Sequence, residues 1–191
     1  MHAVRSFLER PIEIFRYEAN VRAQEAGQER TLYIKDEISK RIQAFETKTG
    51  KRPAHIVVYR DGVSETQFQE TLYEEKLAIK DAVKDISHNY QPTLSYLIVS
   101  KRHHTRFFPL SEDDTTGKAM NLKPGTLVES SITTKNYFDF YLISQHGPVG
   151  TSRPTHYYVL WDEWAPSSTF WQVNTLINEK HMNDFSLLPI I

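Results

Sequence analysis

Three groups of residues have types and spacing that could do chemistry. In "AHIVVYRDGVSETQF" (54–68) an apolar run at 56–59 ends in Arg60-Asp61-Gly62 and passes into a helix-like segment. A carboxylate delivered at the carboxyl end of a buried strand is where α/β sheets place their ligands and reactive groups. A turn aspartate is also an ordinary solvated residue, so Asp61 alone decides nothing. Glu29, in "AQEAGQERT", stands ahead of another helix-like segment, where an acid is usually just a partner of the helix dipole. The third group is "SKRHHTRFF" (100–108), with Lys101, Arg102 and Arg106, joined by Arg153 in "GTSRP". Charge runs are usually solvated loops, but basic residues on loops converging above a sheet suit phosphate binding. His103 and His104 have no further ligands at metal-binding spacing, which excludes a zinc site there.

The elements that would position these residues alternate along the chain. "IEIFRYEANVRA" (12–23) reads as a long strand of imperfect alternation. Ile34, Ile38, Ile42 and Phe45 put one apolar stripe on a helix over about 31–48, with Gly50 and Pro53 ending it. A strand over 55–60 follows. Ser64 and Gln67 form a capping box for a second helix, whose buried face carries Phe68, Leu72, Ile79, Val83 and Ile86 and which runs to about His88. Beyond "NYQP" the pattern turns strand-rich: 94–102, a short extended piece at 105–110, then 126–130, 137–144 and 155–162. Ser167 or Ser168 could cap a last helix carrying Phe170, Val173 and Ile177. This order predicts an α/β sheet with parallel elements first and antiparallel strands after. The aromatic strand "HYYVLWD" reads as core packing rather than a base-stacking surface.

Length and composition bound the function classes. The 191 residues fit one domain large enough to bury a core. Hydrophobic residues at 39% and charged residues at 25% match a soluble globular chain. A formal charge of -1 excludes a globally basic nucleic-acid binder while leaving room for a local patch. The absence of cysteine excludes disulfides and thiolate metal sites. No run approaches the roughly 18 apolar residues of a membrane span, and the first residues lack a signal peptide's apolar core. One cytosolic domain without membrane contact is the expectation.

The segments "VVYRDGVSETQF", "SKRHHTRFFP", "KPGTLVES", "FDFYLIS" and "GTSRPTHYYVLWD", in this order, resemble the Piwi domain of eukaryotic Argonaute proteins. The resemblance is strongest over 10–175, with 176–191 a divergent tail, so 1–191 is expected to be a partial Piwi domain. It implies an α/β fold of ribonuclease H type, a mixed sheet flanked by helices, incomplete at both termini. It also implies RNA-mediated gene silencing, a small guide RNA and its target RNA as partners, and cytoplasmic residence with the nucleus also open. The tryptophan-containing silencing proteins that such domains accept are further partners it suggests.

Laid on this sequence, the resemblance makes Asp61 the second aspartate and Glu29 the mobile glutamate of a four-residue catalytic set that holds Mg²⁺. Asp61 is then a metal ligand, of the hard oxygen type that ion prefers, and paired ions would stabilise both oxygens of an in-line displacement. Lys101, Arg102, Arg106 and Arg153 become contacts to the guide strand, while a family histidine in the loop before Arg153 appears here as Gln145. The first catalytic aspartate would fall upstream of Met1 and the fourth residue beyond Ile191. With two of four positions, the chain as given is expected to bind RNA without cutting it. A longer natural chain would be a Mg²⁺-dependent RNA-guided endoribonuclease, and a peptide-binding scaffold is the other alternative. Without the family's central strand, the strand carrying Asp61 would expose backbone groups and favour aggregation.

Overall fold

A computed structural model of the chain describes residues 21, 23, 32–145, 147 and 149–164. Glu29, most of the strand expected over 12–23 and the helix expected after Ser167 or Ser168 lie outside these residues.

Helix α1 (Ile34–Thr49) forms where the isoleucines recur at helical spacing, and Ile42 is its buried residue. Arg41 reaches back one turn to Glu37 at 2.8 Å, a partly buried pair that supports the helix. Gly50 closes the helix in the left-handed conformation (φ 70°), its N–H donating to Glu46 O at 2.8 Å.

Strand β1 (His55–Asp61) leads through Gly62, at φ 84°, into a 3-10 turn (Glu65–Gln67) and helix α2 (Phe68–Ile86). The positive φ is one that only glycine adopts without strain, so Gly62 fixes where the chain leaves the strand after Asp61. The expected capping box is replaced. Ser64 Oγ donates to Gln67 Oε1 at 2.8 Å, and neither the turn nor α2 has a side-chain cap. The reason is local: Gln67 N–H already bonds Ser64 O at 2.9 Å in the tighter turn, leaving the two side chains to each other. Helix α2 ends at Ile86, short of the expected His88, where Ser87 turns extended.

Strand β2 (Thr93–Ser100) follows, then a second 3-10 turn (Glu112–Asp114), β3 (Thr115–Thr116), β4 (Asn121–Leu122), β5 (Thr126–Val128), β6 (Phe138–Ile143) and β7 (Thr155–Asp162). The segment 105–110 carries no strand, and the small β3–β4 ladder was not legible in the sequence. The main sheet runs β1-β2-β7-β6-β5, with β1 and β2 parallel and the remaining pairs antiparallel. Among the described residues β1 is an edge strand.

Strand alternation sorts the side chains to two faces. Ile56 and Val58 of β1, with Leu94, Tyr96 and Ile98 of β2, meet Phe68, Leu72, Ile79 and Val83 of α2 and Ile42 of α1. Val57, Tyr59, Leu97, Val99, Phe140, Leu142 and Tyr157 form a second cluster on the other face. Each fully buried side chain such as Ile79 or Leu97 contributes about 2 kcal/mol over its exposed state. By the same alternation Arg60 points toward α2 and Asp61 points away from it. No described helix is long and apolar enough to cross a membrane.

Candidate nucleic-acid interface

One end of the sheet gathers the chemistry-bearing residues. In the parallel register Asp61 lies opposite Val99, and in the antiparallel register Ser100 lies opposite His156. The carboxyl ends of β1 and β2 and the amino end of β7 therefore share one edge. Asp61, the loop starting at Lys101 and the loop ending in Arg153 all emerge there. Lys101 Nζ lies 3.9 Å from Asp61 Oδ2, a partly exposed pair.

Asp61 is held by its neighbour. Arg60 Nη1 donates to Asp61 O at 2.5 Å, while Arg60 Nε donates to Glu75 Oε1 at 3.1 Å. Tyr96 OH donates to Glu75 Oε2 at 2.5 Å. Arg60 is 6% exposed and Glu75 2%, so the ion pair is buried between α2 and the sheet. Burial, with the Glu75 carboxylate beside it, pushes the Tyr96 phenol well above its usual range and keeps it a donor.

The basic loop is tied to the loop that carries Arg153. His103 Nε2 meets Pro154 O at 2.9 Å. A carbonyl only accepts, so Nε2 carries the proton and Nδ1, buried without a hydrogen-bond partner, is the bare nitrogen of a neutral ring. Burial lowers the His103 pKa, and the charges of Arg106 and Arg153 lower it further, which places both arginines within electrostatic reach of one ring. Arg106 Nη1 donates to Thr105 O at 2.7 Å and His103 O at 3.4 Å. Arg102 and Arg153 are exposed. Phe107 anchors the loop edge-on against Tyr141, at 5.6 Å, whereas Phe108 is 70% exposed beside Leu110, Leu122 and Lys123 around an open groove.

Beneath the loops lies a buried pair. His156 Nε2 donates to Asp139 Oδ2 at 2.6 Å, and Asp139 Oδ1 accepts Thr134 N–H and Oγ1–H at 2.8 and 2.9 Å. His156 stacks on Tyr141 at 3.8 Å. Burial holds its pKa below the ordinary histidine value in spite of the carboxylate, so the ring is neutral near pH 7.

Two struts leave no signal in the sequence. The contact of His103 to Pro154 spans 51 positions and leaves no local pattern. Asn121 of β4 binds the Arg153 loop through three hydrogen bonds to Gly147, Gly150 and Ser152. Among the described residues no three acidic or histidine side chains come together to hold a metal, and the ammonium of Lys101 lies 3.9 Å from the Asp61 carboxylate. These residues alone do not fit Mg²⁺. Glu29 lies outside them.

A sequence model of the Piwi domain matches residues 4–183. The chain is 45% identical over 168 residues to Piwi-like protein ergo-1 of Caenorhabditis elegans, covering 86% of this chain. It spans about 15% of the length of the relatives it matches. The fold resembles the C-terminal lobe of a budding yeast Argonaute, with TM-score 0.70 and 28% identity over 76% of this chain and 32% of that one. It also resembles Kluyveromyces polysporus Argonaute with a guide RNA, with TM-score 0.69 and 28% identity over 79% of this chain and 19% of that one. The five-stranded mixed sheet is of the ribonuclease H type.

Proposed function

The chain belongs to the Piwi domain family, and we propose that it binds RNA, a guide strand and its paired target, through the two loops at the Asp61 end of its sheet, in RNA-mediated silencing. The observation that carries this reading is the His103–Pro154 bond. It holds the loop of Lys101, Arg102 and Arg106 against the loop of Arg153, which supports cations from separate parts of the chain acting together. Such an array meets successive phosphates without reading base sequence. The solved Argonaute of similar fold carries a guide RNA, which supports RNA as the polyanion.

Photo-crosslinking of the chain to a 4-thiouridine-substituted oligouridylate, with the adducts mapped by mass spectrometry, tests it. Adducts within residues 101–109 and 147–154 are expected. Adducts confined to other segments would reject the assignment.

A further inference from the structure

Asn121 is 4% exposed, and it sits in a two-residue strand that pairs with β3 and stands apart from the main sheet. Its amide is spent on one target. Nδ2 donates to Gly150 O at 2.8 Å and to Gly147 O at 3.3 Å, and Oδ1 accepts Ser152 N–H at 2.8 Å. This orientation is chemically forced, because a flipped amide would turn its oxygen onto two carbonyls and its NH₂ onto an N–H. Neither aspartate nor leucine supplies the same set of two donors and one acceptor. The loop is close to itself at one point: a Cβ on Gly147 would come within 2.7 Å of Ser152 Oγ.

Arg153 follows Ser152 and precedes Pro154, whose carbonyl accepts from His103. It is thus the single residue between two anchors, one from β4 and one from the basic loop, while its own side chain remains exposed. Backbone ordering costs about 1–2 kcal/mol per residue, and a segment ordered beforehand spares that cost when a ligand arrives.

We propose that Asn121 is a positioning residue for RNA binding: it fixes the 147–152 loop so that Arg153 is presented to a phosphate before RNA arrives. The inference rests on the RNA-binding reading above. Asn121 itself touches no phosphate, and its effect passes entirely through Arg153.

The test uses the full-length protein, a fluorescein-labelled oligouridylate and the slope of log affinity against log salt, which counts phosphate contacts at about 0.7 per phosphate on a single strand. Arg153→Ala is expected to flatten the slope by about that amount. Asn121→Ala should do the same, as should Asn121→Asp, which keeps the volume but faces the carbonyls of Gly147 and Gly150 with oxygen. Adding Arg153→Ala to either Asn121 variant should flatten it no further, the mark of a shared pathway. A variant that merely loosened the fold would lower the melting temperature and leave the slope alone. In the unmodified protein, exchange of the Ser152 amide, whose N–H is held by Asn121 Oδ1, should be slow before RNA is added and fast in the Asn121 variants. Unchanged slopes in both Asn121 variants, losses that add in the double variants, or a Ser152 amide that becomes protected only on binding would each overturn the proposal. A wild-type protein that fails to bind, or a slope indifferent to Arg153→Ala, would instead overturn the RNA-binding assignment and take this inference with it.

Discussion

Lys101 Nζ lies 3.9 Å from Asp61 Oδ2, across the carboxyl ends of two parallel strands. The pair brings a cation suited to phosphate and an acid that repels it into one corner. The ammonium screens the carboxylate, so a polyanion can pass the end of β1. The pair is partly exposed to solvent, and a pair of this kind adds little to folding.

Lys101→Ala should therefore shift the urea midpoint by less than about 1 kcal/mol in unfolding free energy while weakening RNA binding several-fold. Part of that loss comes from an unscreened Asp61. Adding Asp61→Asn to Lys101→Ala should restore part of the affinity. Anisotropy titrations of the three proteins check it, and an affinity indifferent to Asp61→Asn would show that the two groups act separately.

The buried network behind Asp61 predicts the opposite balance. Glu75→Ala leaves the Arg60 guanidinium without its carboxylate between α2 and the sheet, and breaking one side of a buried pair costs about 3–5 kcal/mol. Tyr96→Phe removes a single donor to that carboxylate, about 1.5–3 kcal/mol. Urea denaturation should rank Glu75→Ala well below Tyr96→Phe. Equal and small effects would mean that the network is not the anchor the geometry describes.

Two histidines, His156 buried and His103 partly buried, set a pH dependence. The pKa values of His103 and His156 are both lowered from 6.5, chiefly by burial. The unfolded chain then takes up protons more readily than the folded one as pH falls. Stability is whole above pH 6.5 and declines below it, toward the lower folded-state values. His103→Gln, which keeps an N–H for Pro154 O, should shallow the decline in melting temperature between about pH 7 and pH 5. A decline of unchanged steepness would assign the whole effect to other groups.

Much of the fold was legible because its signals are local. The isoleucine stripe of α1 and the apolar runs of β1 and β7 each fall within a few residues; the stripe packs one side of a helix, while the two strands feed the clusters on both faces of the sheet. The site was legible only in part. Asp61 and the cations stand out by type, but what aligns them is contact between distant segments. The His103–Pro154 bond and the Asn121 amide join positions that no periodicity connects. The Ser64–Gln67 spacing did promise a cap, and the backbone found a tighter turn that satisfied the same amide first.

The most direct measurement is the salt dependence of oligouridylate binding by the wild-type chain and by the Arg106→Ala/Arg153→Ala double variant. If the two loops form one phosphate-binding surface, the double variant flattens the slope by about 1.4, two contacts at about 0.7 each, with little change in melting temperature. A double variant that keeps the wild-type slope would contradict the account, because the cations would then lie outside the path of the nucleic acid.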